Sequence, residues 1–168
     1  MVEAGRAVVG ISGPLAADAE TLERMAAGVV TLVPVAAPDH PLSRMDDIAP
    51  GAARAHVQLV LTDRSSVTQG RDFSVLSPRT WRLADLGAKH ALLRQGIGWG
   101  NMPLPLVAPD LMAGTLMRLA LPDQPGGTYR FSGIWRRDAP PGPAASWLLD
   151  QFVTLGAADA VEEGLPDL

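Results

Sequence analysis

The chain contains no cysteine. That removes disulfides, thiolate catalysis and cysteine-based zinc sites together, and it fits a reducing compartment, the cytoplasm being the expected one. Lysine is almost missing too: Lys89 is the single one, and the other basic residues are arginines scattered along the chain. With 14 basic residues against 18 acidic ones and a formal net charge of −4, the chain lacks the cationic excess needed to grip a phosphate backbone. Aromatic residues make up only 5 %, and four of them are tryptophan. No apolar run approaches the roughly 18–20 residues of a membrane-spanning helix, so no membrane partner is expected. The segment AVVGISGPLAADA after Arg6 reads as a strand and not as a secretory leader, because Glu3 spoils the positive region and Gly, Ser and Pro interrupt the apolar run.

What remains is ordinary globular material. The 168 residues, 47 % of them hydrophobic, suffice for one domain or for two small lobes. Strand-like and helix-like segments alternate, which predicts an α/β sheet. RAVVGIS (6–12) reads as a buried strand and DAETLERM (18–25) as a helix capped by Asp18. VVTLVPVAA (29–37) is β-rich, and Pro34 places it at an edge or in a crossing segment. HVQLVLTD (56–63) is the clearest strand, followed by a polar loop over 64–72 and a short extended piece over 73–77. WRLADLGAKHALLRQG (81–96) predicts a helix with Leu83, Leu86, His90, Leu93 and Ile97 on one face, ended by Gly96. GWGNM (98–102) and TLMRLAL (115–121) read as strands, flanking a short helix at 105–114 broken by Pro109. YRFSGIWRR (129–137) alternates as a strand. The helix over 139–157 offers Trp147, Leu148, Gln151, Phe152 and Leu155 as a buried stripe, and 158–168 reads as a frayed acidic tail.

Three strand ends carry polar groups suited to a small ligand. Ser12 and Gly13 close the first strand. Thr62, Asp63, Arg64 and Ser65 offer hydroxyl, carboxylate and guanidinium groups at the end of the clearest one. Trp99, Gly100 and Asn101 stand in GIGWGNMP (96–103). In open α/β sheets ligands sit beyond the carboxyl ends of strands. The glycines of GIGWGNMP do not cradle a phosphate, since the helix precedes the strand and a dinucleotide loop needs the reverse order. Gly96 serves as a helix cap; Gly98 and Gly100 serve close packing beside other backbone. His40, His56 and His90 lack metal-site spacing, and His90 reads as a core histidine. No catalytic motif occurs, so neither an enzyme nor a cofactor is expected.

Taken together, GRAVVGISGPL, VVTLVPVAAPDHPLS, HVQLVLTDRSS, GIGWGNMPLPLV and LMAGTLMRL closely resemble the effector-binding domain of LysR-type transcriptional regulators, over about residues 3–155. The resemblance implies an α/β fold of two periplasmic-binding-protein-like (type 2) lobes, with a small-molecule effector, an organic acid being one class, held between them. Residues 29–36 and 128–136 would be hinge crossings and 37–127 a complete second lobe. Residues 1–28 and 137–157 would be a remnant of the first. Loops matching Ser12–Gly13, Thr62–Ser65 and Trp99–Asn101 would line the effector site. Val8 departs from the pattern, standing where the family usually has an aspartate. The winged helix-turn-helix has no counterpart in this chain, so DNA would be reached only through a domain absent here. The resemblance also implies a homo-oligomer formed through the effector domain. The alternatives are a stand-alone solute-binding protein of the same fold and, third, an enzyme built on the same sheet.

Overall fold

The computed structural model describes residues 1–13, 20–62 and 75–162. The chain divides into two compact units, Met1–Val30 with Thr128–Leu168, and Thr31–Gly127. Asp18, the whole 64–72 loop and the last six residues lie outside the described part.

The first unit is built on β1 (Val9–Ser12), β7 (Gly127–Arg136) and the start of β2 (Leu22–Ala36). β1 pairs antiparallel with β7, Val9 opposite Trp135 and Ser12 opposite Ser132, and β7 neighbours β2. β1 is therefore an edge strand, and Val8 and Ile11 are exposed, where a buried strand was expected. The helix expected over 18–25 is absent among the described residues: Leu22–Met25 already belong to β2. Its acidic, leucine-bearing composition favours a helix only weakly, and pairing overrides such a preference. Here Arg137 donates its amide to the Thr21 carbonyl, and its guanidinium reaches Glu23 at 2.7 Å.

α3 (Pro143–Glu162) runs further than the expected helix and buries a different residue. Leu149 is 2 % exposed, whereas Trp147 is 62 % and Leu148 and Phe152 lie open with it. Gln151 is exposed too. Gly133 explains the choice: a side chain there would collide with Leu149 and crowd Met25. The missing Cβ on β7 makes the socket that Leu149 fills.

In the second unit the far half of β2 pairs antiparallel with β5 (Trp99–Pro103) on one side and with the two-residue β6 (Met117–Arg118) on the other. β3 (Gln58–Leu61) and β4 (Thr80–Leu83) continue the sheet in parallel, giving the order β2-β5-β3-β4. Pro34 thus sits in an interior strand, not at an edge. Its carbonyl accepts from Leu119 on the β6 side. In an extended strand its nitrogen faces the same way, just past the end of the β6 ladder, so no sheet hydrogen bond is lost.

α1 spans Leu86–Arg94, with Asp85 accepting the Ala88 amide at 2.7 Å as N-cap. The expected helix began at Trp81, but Trp81–Leu83 pair with β3 instead. Asp85 caps the helix just after β4 ends, because Thr80–Leu83 are held by pairing with β3. α2 (Leu104–Ala113) runs unbroken through Pro109. Val107 and Asp110, both buried, hold it on either side of the proline. Of TLMRLAL only Met117–Arg118 is strand.

Two apolar clusters cover the two faces of this sheet. Val33, Val35, Leu59, Leu93, Met102, Val107 and Leu116 form one. Ala36, Leu42, Ile48, Ala53, Trp99, Leu119 and Leu121 form the other. Successive side chains of β5 alternate between them, which explains why GWGNM carries no polar face. Gln58 of β3 is accordingly buried, and its side-chain oxygen accepts the amides of Leu76 and Ser77.

Gly98 holds φ at +92°, and a Cβ there would run into the Val57 carbonyl. Gly98→Ala is expected to destabilise the protein by at least about 2 kcal/mol, since strain and collision add. Thermal denaturation of the variant against the parent checks this.

Candidate functional site

Three parallel strands, β4, β3 and β5, bring their carboxyl ends to one edge of the second unit. From that edge the chain departs in opposite directions. β3 leads towards β4 on its outer side, while β5 leads through α2 to β6 on the far side of β2. In open α/β sheets ligands bind where neighbouring strands' connections part in this way. Here that switch point falls between β3 and β5.

The hydrogen bonding mark the same place. β3 and β5 share one paired position, Gln58 opposite Trp99, where β3 and β4 share four. Asn101 stands opposite Pro34 of β2. Because the Pro34 carbonyl faces Leu119, this is a non-hydrogen-bonded pair, and the Asn101 carbonyl must point towards β3. No strand amide meets it. The Lys89 ammonium donates to it instead, at 2.6 Å. Gly100 makes this possible, since a Cβ there would press on the Leu59 carbonyl and on Cε of Lys89.

Lys89 projects from α1 and is only 5 % exposed. Among the described residues no carboxylate pairs with it. Burial pulls its pKa down to about 8. An ammonium has three donors, and one is engaged. On Asn101 the side-chain oxygen is buried without a hydrogen-bond partner among the described residues.

The sequence-predicted residues fall as follows. Thr62 ends β3 at this edge; its amide and hydroxyl both donate to the Leu83 carbonyl, the hydroxyl at 3.0 Å, which ties it to the end of β4. Asp63, Arg64 and Ser65 lie outside the described residues. Gly100 and Asn101 flank Lys89. Trp99 is wholly buried in the second cluster and its indole donates to Ala53 at 3.1 Å, so it is a packing residue. Ser12 and Gly13 belong to the first unit, where the Ser12 hydroxyl donates to the Gly13 carbonyl and Tyr129 packs against Gly13. Sequence reading missed Lys89. Its uniqueness in the chain was the available signal.

A second polar cluster ties α1 to α2. Asp110, 8 % exposed, receives the Thr115 hydroxyl at 2.6 Å, His90 at 2.7 Å and Arg94 at 3.2 Å. The Thr115 hydrogen bond, then His90 and Arg94, hold its pKa below the usual carboxylate value against the opposing effect of burial. His90 is therefore a hydrogen-bonded structural histidine, as its sequence position suggested. The open depression beside it, about 480 Å³ and lined by Ala91, Arg94, Gln95 and Thr115, contains none of the predicted site residues. No group of three metal-ligating side chains occurs among the described residues.

Comparison with known proteins decides the family. The LysR substrate binding domain model matches residues 1–157. The chain belongs to that family. It is an effector-binding regulatory domain of the LysR type, with the corresponding α/β fold. The MetR regulatory domain of N. meningitidis has the same fold, with a TM-score of 0.72 at 16 % identity over 94 % of this chain and 75 % of that one. The CcmR regulatory domain of Synechocystis PCC6803, solved in complex with 2-PG, gives 0.69 at 14 % over 99 % and 78 %. Full-length LysG of Corynebacterium glutamicum gives 0.66 at 18 %, over 94 % of this chain but 52 % of its own length. This LysR-family domain thus spans about half of that regulator. No curated protein matches by sequence. Among the described residues no helix is long and apolar enough to cross a membrane.

The buried amine has a stability signature. The unfolded chain holds the Lys89 proton to about 10.5, the folded chain only to about 8. Between these values the unfolded state binds more protons, so this group adds stability as pH rises through that window and imposes its full cost below it. At 1.36 kcal/mol per pH unit the cost is at most about 3 kcal/mol. Lys89→Met is therefore expected to lose the rise between pH 8 and 10.5, while at pH 7 the relief of the buried charge is offset by the Asn101 carbonyl left without its donor. Urea denaturation across that range checks both.

Proposed function

We propose that this domain senses a small organic effector in the cytoplasm and passes the binding event to a DNA-binding domain of a longer regulator. The observation that carries the reading is the parting of β3 and β5 at their carboxyl ends, where Lys89 rather than a strand amide donates to the Asn101 carbonyl. Thr62, Asp63, Arg64 and Ser65, which follow β3 in sequence, and Gly100 and Asn101, in β5, are the domain's effector-contacting residues. Segments 29–36 and 128–136 act as hinges joining lobe two, 37–127, to a first-lobe remnant of 1–28 and 137–157. Effector binding shifts the population of hinge states, which alters the geometry of a homo-oligomer and so of the attached DNA-binding domains. A regulatory domain of the same fold, CcmR, has been captured with 2-PG, in keeping with a small-molecule role.

Self-association is supported by α3, which exposes Trp147, Leu148, Phe152 and Val153 together. Light scattering is expected to report a dimer or larger species; a well-behaved monomer would contradict this part of the proposal.

A thermal-shift screen of aromatic and aliphatic organic acids tests the site. Asn101→Ala is a clean probe, because the side-chain oxygen it removes makes no hydrogen bond in the free domain. A ligand that raises Tm by several degrees in the parent should raise it markedly less in Asn101→Ala and Thr62→Ala. Equal shifts in all three would remove these residues from the site.

A further inference from the structure

We infer that the effector is an anion, and that Lys89 is the charge partner of its carboxylate at the β3–β5 switch point. This rests on the effector-sensing reading above and names the chemical class that reading leaves open.

An interior ammonium ordinarily needs a counter-charge, or it gives up its proton. Lys89 has neither a carboxylate partner among the described residues nor an exposed surface, and its one acceptor is a neutral carbonyl. The other charged groups of its own helix are already committed: Asp85 caps α1, and His90 and Arg94 serve Asp110 on α2. The Asn101 carbonyl asks for a donor, but a neutral one would satisfy it, so the surroundings supply the fold with no reason to keep a charge here.

The position of the amine supplies that reason. It lies where the β3–β5 ladder ends, beside a strand carbonyl that a ladder bond would otherwise occupy, at the switch point where open α/β sheets take ligands. Among the described residues only one of its three donors is engaged, which leaves two to match the two oxygens of a carboxylate. Binding an anion there turns an unfavourable buried charge into a compensated pair, so the ligand gains from a cost the free domain already bears. The lowered pKa of Lys89 agrees with this geometry and gives it a readout: a bound anion must push that pKa back up.

Because the sequence has one lysine, [13Cε]lysine labelling gives a single side-chain signal, which assigns itself. The 168-residue domain would be titrated with pH by NMR alone and with benzoate, succinate, glycolate or inorganic phosphate. Benzamide, succinamide and glycolamide serve as uncharged counterparts. At least one acid is expected to move the Lys89 signal, raise its pKa by a unit or more and raise Tm, while its amide does none of these. Lys89→Met should lose the Tm response; Lys89→Gln replaces it should the methionine variant fail to fold.

Three results would overturn the inference. If acids raise Tm equally in the parent and in Lys89→Met, with the lysine signal unmoved, the sensor reading stands and only the role of Lys89 falls. If amides act as well as acids, the effector class is wrong while the site stands. If neither acids nor amides change Tm or the signal, the inference and the sensor reading fall together.

Discussion

Asn101 cannot give its carbonyl to β2. The proline opposite it turns its own backbone groups outward to Leu119, and in an antiparallel pair the two partners face away from each other together. The Asn101 carbonyl is thereby directed into the gap where β3 has already parted from β5. Some donor must come to it, because an interior carbonyl left bare costs as much as a lost hydrogen bond. The domain supplies that donor from α1, along the path that Gly100 keeps open. One proline on β2, one glycine on β5 and one lysine on α1 therefore form a single constraint. The strand order, the switch point and the buried charge all follow from it.

The two charged clusters of the second unit show opposite solutions to burial. Asp110 is surrounded by a hydroxyl, an imidazole and a guanidinium, and it locks α1 to the end of α2. Such a network is satisfied within the protein and has nothing to offer a ligand. Lys89 sits on the same helix, within a turn of His90, yet receives one neutral acceptor. A chain able to satisfy one buried charge so fully has not done so for the other. Sites that bear a cost in the free protein are where binding energy is gained, and this asymmetry separates the structural cluster from the one proposed as functional.

Sequence reading located β3, β5, β7 and the helices because apolar spacing and turn residues speak for themselves there. The caps also spoke: Gly96 ends α1 as a left-handed residue, and Gly98 packs against the Val57 carbonyl as foreseen. It failed where long-range pairing outvoted local preference. Leu22–Met25 look helical in isolation and become strand through their neighbour β7; Trp81–Leu83 were absorbed into a helix although β3 recruits them. The stripe proposed on α3 was misplaced because the socket at Gly133 lies on another element. At the site, the strand ends were visible as positions, but Trp99 was taken for a lining residue when its indole is held in the core by Ala53. Lys89 was noticed only as a rarity, since nothing in a linear sequence says that a helix residue reaches across a glycine into a sheet.

The choice of lysine there is itself informative. Every other basic residue in the chain is arginine, so a strong background preference was set aside at this one position. Arginine would bring a planar fork of five donors and a charge that does not titrate in this range. It needs a flat, multiply accepting partner, and the end of a strand ladder offers a single carbonyl. Lysine brings a compact charge on a slender stem, narrow enough to pass Gly100 and able to aim its remaining donors elsewhere. Its charge also yields to its surroundings, standing near half occupancy at about pH 8. A bound anion therefore alters the protonation as well as the contacts of the same group. This couples occupancy of the switch point to the electrostatics of α1 without any further moving part.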